Sequence, residues 1–304
     1  MSAITTATRL IQGSRLASGS PGCMYMIITT LVLEFMKKLV AGRYHPAVQI
    51  NAMLMIGELN SVESPPTPLP DALNELLAAA GDTKLSTAVR VAAMVGVERH
   101  VTARIGDEEL RRNVAAAVLK AAAAEGPGDA GHQWIIAQAI ETLARFNSVG
   151  DDNAVFKLMA KTLADNKLSL STRSIAADSL GRLNYSAATG INAADTAAVL
   201  GQFLVDACVE ELRLAKSTGK GVSRRRMKQQ LEAALTALTG DGENRKGIAS
   251  LARDAGQQAL VRDLQKEIKA LTDVLDNLQS NPDDLKGQVG ELRDKLETRL
   301  KSKA

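Results

Sequence analysis

Hydrophobic positions recur at intervals of three and four residues in four separate stretches of the chain, which is the period of an amphipathic helix. Each stretch carries alanine near its centre and ends on a polar residue. The stretches are HPAVQINAMLMIGELN, LSTAVRVAAMVGVERH, HQWIIAQAIETLARFN and LSTRSIAADSLGRLN. Their polar ends, Asn60, His100, Asn147 and Asn184, are separated by 40, 47 and 37 residues. The pattern therefore predicts a helical unit that returns along the chain.

A second helical segment precedes each of these stretches, so the returning unit is predicted to be a pair of helices, the second of which we term the inner helix. Asp71, Asp107 and Ser223 stand at predicted helix starts, where their side chains can cap the first turn. A fifth pair follows in DTAAVLGQFLVDACVEELRLAK and SRRRMKQQLEAALTALTG. The sequence thus predicts about five helix pairs over residues 23–242, after a flexible segment at residues 1–22.

Periods of this length built from two helices resemble the HEAT and armadillo class of α-solenoid repeats. HEAT units typically carry an aspartate in the turn between their helices and a basic residue shortly afterwards. Here DTKLSTAVR and DNKLSLSTR place Asp82 before Arg90 and Asp165 before Arg173 at the same interval. The resemblance implies stacked pairs that share one core, and a long surface of inner helices that binds an extended partner.

The pattern changes after Gly240, where a heptad-like seam of apolar residues begins. The seam consists of Leu260, Leu264, Ile268, Leu271, Leu275 and Leu278. SNPDD then interrupts it, and a second amphipathic segment follows from Leu285 to Leu300. Residues 247–304 are therefore predicted to form a helical hairpin, or a coiled coil that joins two chains.

Composition supports an all-α fold, because 45% of residues are hydrophobic but only 3% are aromatic. The apolar run CMYMIITTLVLEF is shorter than the roughly 20 residues that span a bilayer, and Glu34 and Lys37 interrupt its continuation. We expect no transmembrane span and a cytoplasmic protein, while an export signal upstream of Met1 stays open.

The sequence offers no recognisable catalytic, cofactor or metal site. Cys23 and Cys208 lack any metal-ligand spacing, and His45, His100 and His132 lie in different pairs, where we expect helix ends or surface positions. HEAT-like proteins include DNA-repair glycosylases and chromophore lyases, so an enzyme is a third functional class that the resemblance allows. We expect a protein that is not an enzyme and that needs no cofactor.

A basic segment at residues 216–228 is the most polarised part of the chain. Its cations are Lys216, Lys220, Arg224, Arg225, Arg226 and Lys228, with no acidic residue among them. Because three arginines at a helix start oppose the helix dipole, a compensating anion or acidic partner is one hypothesis, and a solvated loop is the other.

The function predicted from these patterns is a scaffold for an unidentified protein or peptide. Candidate contacts along the inner helices are Arg90, Glu98, Arg173 and Arg182. Trp134, the only tryptophan, is predicted to fill the core, with an exposed anchor for a partner as the alternative. Nucleic-acid or phosphate binding through the basic segment is the second functional hypothesis. The net charge of only +3 argues against nucleic acid as the partner.

Overall fold

The computed structural model describes residues 21–124, 130–186, 188–242, 245–277 and 282–301, and these residues confirm the all-α prediction. The chain divides into two compact units, unit 1 up to Thr142 and unit 2 from Leu143 onward. This division differs from the predicted one, because residues 247–304 share unit 2 with the last predicted helix pairs. Residues 1–20 of the predicted flexible segment lie outside the described residues.

Unit 1 contains the first three predicted pairs, and its sixth helix crosses into unit 2. The helices are α1 Pro21–Ala41, α2 Pro46–Glu58, α3 Pro70–Gly81, α4 Thr87–Thr102, α5 Glu108–Ala123 and α6 Ala130–Ala144. Asp107 caps α5 as predicted, its Oδ1 accepting from the Leu110 amide at 2.6 Å, and Ser86 Oγ caps α4 by accepting from the Val89 amide at 3.4 Å. The prediction for Asp71 is wrong, because it lies inside the first turn of α3, whose N-cap position is Leu69 and has no side-chain cap. Capping satisfies amides that the first helical turn leaves without partners.

A small β-hairpin separates α2 from α3, in the proline-rich stretch SVESPPTPLP. Strand β1 spans Asn60–Glu63 and pairs antiparallel with β2, Pro66–Pro68. The Tyr25 hydroxyl of α1 lies 2.8 Å from the Asn60 carbonyl oxygen and 2.7 Å from Glu63 Oε1. The hairpin is therefore held against the first helix of the unit.

The described residues of unit 2 form six further helices and two short 3-10 turns, Asp151–Asn153 and Ile248–Leu251. The helices are α7 Ala154–Ala164, α8 Leu170–Gly181, α9 Ala193–Thr218, α10 Arg224–Thr239, α11 Ala255–Asp276 and α12 Pro282–Lys301. The pairs α7–α8 and α9–α10 lie where the sequence predicts the fourth and fifth pairs.

The same stacking of neighbouring pairs occurs within each unit. In unit 1 the inner helices α2 and α4 pack together, and the first helices α3 and α5 pack together. In unit 2 the inner helices α8 and α10 pack together, and so do the first helices α7 and α9. These neighbouring pairs thus pack against one another within their own unit.

Glycines allow the inner helices to approach closely where these pairs cross. A methyl group added to Gly57 of α2 would lie 2.9 Å from the Gly96 Cα atom of α4. One added to Gly181 of α8 would lie only 2.0 Å from the Thr236 carbonyl oxygen of α10. Gly57 and Gly181 each precede the polar end of their stretch by three residues, so this requirement was visible in the sequence.

The turns of two helix pairs repeat one arrangement of hydrogen bonds. Asp82 Oδ1 accepts from the Lys84 amide at 2.9 Å, and Arg90 Nε donates to the Ala80 carbonyl oxygen at 3.0 Å. In the second turn, Asp165 and Arg173 make the equivalent bonds, to the Lys167 amide at 3.0 Å and the Leu163 carbonyl at 2.8 Å. The eight-residue interval seen in the sequence therefore corresponds to one turn structure.

The C-terminal helices cover the last pair of unit 2. α11 packs against α9 and α10, and α12 packs against α9 and α11. The predicted seam is buried from Leu260 to Leu275, whereas Leu278 lies outside the described residues. The seam is therefore buried within its own unit, without a second chain.

Helix α1 has one buried and one exposed apolar face. Leu33, Met36 and Val40 are buried, and α1 packs against α2. In the described part of the chain, no helix combines the length and the apolar character needed to cross a membrane.

Candidate functional site

The basic segment lies at the end of α9 and the start of α10. Lys216, Lys220 and Arg225 are exposed, while Arg224 and Lys228 are half-buried. Ser223 caps α10, with its Oγ 3.4 Å from the Arg226 amide. The segment is thus partly surface and partly structural.

A buried carboxylate of the protein itself lies at the start of α10. Glu211 of α9 is 4% exposed; its Oε2 accepts from the Ser223 amide at 3.2 Å and from Arg226 Nη2 at 3.0 Å, and its Oε1 accepts from Arg226 Nε. These charge-assisted bonds raise the pKa of Arg226. The compensating anion hypothesised at this helix terminus is therefore supplied from within the chain.

Two other cations of the segment bind the end of α11. Arg224 Nη1 donates to the carbonyl oxygens of Leu275 at 3.0 Å and Asn277 at 2.8 Å. Lys228 forms an ion pair with Asp276, and this hydrogen bond raises the lysine pKa. A basic side chain at a helix C-terminus complements the helix dipole, so these contacts stabilise the packing of α11 on α10. An acidic partner stays a prediction for Lys216, Lys220 and Arg225.

Two predicted groove residues, Arg90 and Arg173, are corrected by the structure, because each is only 3% exposed. Arg90 Nη2 donates to the Ala121 carbonyl oxygen of α5 at 3.5 Å. Arg173 Nη1 pairs with Asp206 Oδ2 of α9 at 2.8 Å, and its guanidinium carbon lies 5.4 Å from the centre of the Phe203 ring. Both arginines therefore hold neighbouring helix pairs together and do not face a partner.

The other two predicted groove residues remain at the surface. Arg182 is partly exposed and pairs with Asp178 at 2.5 Å on its own helix. Glu98 is half-buried, and its Oε2 accepts from Gln138 Nε2 of α6 at 2.6 Å. The Glu98–Gln138 bond joins two successive inner helices at the surface of unit 1.

Trp134 lies beside this bond and is 38% exposed, so the prediction that it fills the core is wrong. It stands one helical turn before Gln138, and Val95, also 38% exposed, stands one turn before Glu98. We name the exposed Trp134 and Val95, together with the half-buried Glu98, the Trp134 surface; Gln138 itself is buried. The polar stripe of Trp134, Gln138, Glu141 and Arg145 in the sequence would not by itself have predicted this exposure, because Gln138 on the same stripe is only 8% exposed.

The histidines do not form a site with one another. His45 caps α2, with its Nδ1 3.2 Å from the Ala47 amide, as expected for a helix end. His100, in the last turn of α4, and His132, in the first turn of α6, also lie at helix ends as expected, but both are buried, which excludes the surface alternative. Burial, and secondarily Arg99, lowers the pKa of His100 to about 4, so this side chain is neutral at pH 7. Among the described residues no group of three acidic, histidine or cysteine side chains could hold a metal ion.

Comparisons with known proteins gave no match for this chain among family models, curated proteins or solved structures.

Proposed function

We propose that the chain is a non-enzymatic scaffold of HEAT-like helix pairs that binds another protein through its inner helices. The stacking within each unit supports the HEAT-like part of this proposal, because inner helices pack on inner helices and first helices on first helices. The repeated turns at Asp82–Arg90 and Asp165–Arg173 support it independently, since both arginines reach a helix of the next pair.

The observation that carries the binding proposal is the exposed Trp134. Tryptophan is enriched among the residues that dominate binding energy, because it offers a large rigid apolar surface and one hydrogen-bond donor. The hydrogen bond between Glu98 and Gln138 lies one helical turn from Trp134. It joins α4, which carries Val95, to α6, which carries Trp134. An apolar anchor beside an ordered polar group is the composition of a protein-binding patch.

The test uses Trp134 itself as the reporter, because it is the only tryptophan of the chain. Proteins captured by the intact wild-type chain are compared with those captured by Trp134→Ala and by Trp134→Phe. We expect the specific partner to bind wild type and Trp134→Phe, and to bind Trp134→Ala about 30-fold more weakly, the factor that corresponds to loss of a 2 kcal/mol anchor.

Titration with the purified partner should then shift the tryptophan emission to the blue and protect it from iodide quenching. Val209→Ala is the matched control, because Val209 is an exposed apolar residue of unit 2. Equal affinity of wild type and Trp134→Ala, with unchanged emission, would exclude the Trp134 surface. Recovery of nucleic acid in place of a protein would favour the basic-segment hypothesis.

A further inference from the structure

Helix α1 carries the largest group of exposed hydrophobic side chains in the described part of the chain. Met26 is 64% exposed, Ile27 50%, Leu31 65% and Phe35 57%. Ile27, Leu31 and Phe35 follow one another at intervals of four residues, so they form a single ridge along the helix. We name these four residues the α1 ridge.

The size of the ridge exceeds what scattered surface residues would give. With roughly 200 Å² for each large side chain, the exposed fractions correspond to roughly 450 Å² of apolar surface. A contiguous patch of this size on a single chain commonly marks an interaction site. Thr30, Glu34 and Lys38 are exposed along the same helix and supply a polar margin.

The packing of the other helix pairs indicates which kind of structural element could bind the α1 ridge. In unit 1 the first helix α3 packs against the first helix α5, and in unit 2 α7 packs against α9. α1 is the first helix of its own pair, yet it presents its ridge to solvent. A helix of the same kind therefore fits this face.

We propose that the α1 ridge is the contact surface of a homodimer, in which α1 of a second copy of this chain packs against it. A two-fold axis at Leu31 places Ile27 of one copy against Phe35 of the other, and the reverse, so the ridge is complementary to itself. The two ridges together bury roughly 900 Å², which is below the roughly 1,200 Å² at which stable complexes begin and within the range of weak, transient interfaces. The proposed dimer is therefore weak, and the micromolar range is where it is tested.

The first experiment measures the mass of the full-length chain by sedimentation equilibrium across the micromolar range. Wild type should change from monomer to dimer, whereas Leu31→Glu should stay a monomer with an unchanged circular dichroism spectrum. Val62→Glu is the control, because Val62 is an exposed valine on β1 of the same unit, and it should dimerise like wild type. Equal masses for wild type and Leu31→Glu at every concentration would overturn the proposal.

Cross-linking gives a second, independent readout. In a Cys23→Ser background, in which Cys208 is buried, Leu31→Cys should form a disulfide-linked dimer on mild oxidation, because residue 31 lies on the axis. Val62→Cys should not. Absence of the Leu31→Cys dimer would overturn the proposal, as would a monomeric wild type that dimerises only after residues 1–20 are removed. The latter result would show that the N-terminal segment covers the ridge.

Discussion

The contact of Gly181 with α10 makes a quantitative prediction about the helix pairs. An alanine at this position would bring its methyl carbon to 2.0 Å from the Thr236 carbonyl oxygen and 2.4 Å from its carbonyl carbon. Real contacts of this kind are no shorter than 3.0 Å, and the opposing atoms are backbone, so α8 and α10 must separate by about 1 Å. A gap of that size forfeits a quarter to a half of the attraction between the facing atoms.

Fully buried leucines on these two helices set the magnitude of the loss. Leu180 on α8, and Leu231 and Leu238 on α10, have no exposed surface. If each contributes about 3 kcal/mol and loses a third of it, Gly181→Ala lowers the free energy of unfolding by about 3 kcal/mol. Urea unfolding followed by far-ultraviolet circular dichroism measures this change. Gly287→Ala in α12 is the control, because no atom lies within 4 Å of the added methyl group, and its helix propensity should add about 0.5–1 kcal/mol. A Gly181→Ala variant as stable as wild type would refute the close packing of α8 on α10.

Three further predictions follow from other contacts. Below pH 6.5 the unfolded chain protonates His100, but the folded chain does so only near pH 4, so the free energy of unfolding should decrease by up to about 3 kcal/mol between these values. In urea titrations at several pH values, the His100→Leu variant should lose this pH dependence of the free energy of unfolding. An unchanged pH dependence in the variant would show that other groups cause it. Glu211→Ala should lower the free energy of unfolding by about 2 kcal/mol, because it leaves the Ser223 amide without its acceptor. Arg225→Ala should change the melting temperature little, and equal melting temperatures for the two variants would contradict the stabilising role of Glu211 at the start of α10. Deleting residues 248–304 should abolish the cooperative unfolding of unit 2, because α11 and α12 cover α9 and α10; a deletion variant that still resists protease would instead support an independent tail.

The spacing of apolar residues was sufficient to predict the helix pairs, because the period of a helix is a local property of the sequence. It could not assign the partner of the C-terminal seam. Leu260, Leu264 and Ile268 show that one face is apolar, but the same face could be buried by another chain or, as observed, by α9 and α10. Which surface covers a stripe depends on the tertiary fold.

Charged and aromatic side chains were the second source of error. Arg90 and Arg173 were expected at the surface, yet the unpaired carbonyl groups at a helix end provide acceptors that allow a guanidinium to be buried. Trp134 was expected in the core but is 38% exposed, and the residues of its own helix do not decide this, because Gln138 on the same stripe is buried. The anion beside Arg226 was not recognised because Glu211 precedes it by 15 residues, across the turn between α9 and α10.

The paired turns at Arg90 and Arg173 also determine where the chain tolerates changes of length. Among the described residues, each arginine binds the helix before it and one helix of the following pair. In both turns the arginine follows the aspartate by eight positions, while the spacing of the four polar residues that end the repeated stretches varies from 37 to 47 residues. The segments outside these turns should therefore tolerate insertions. A segment that runs from one turn to the next is a natural unit for duplication or exchange.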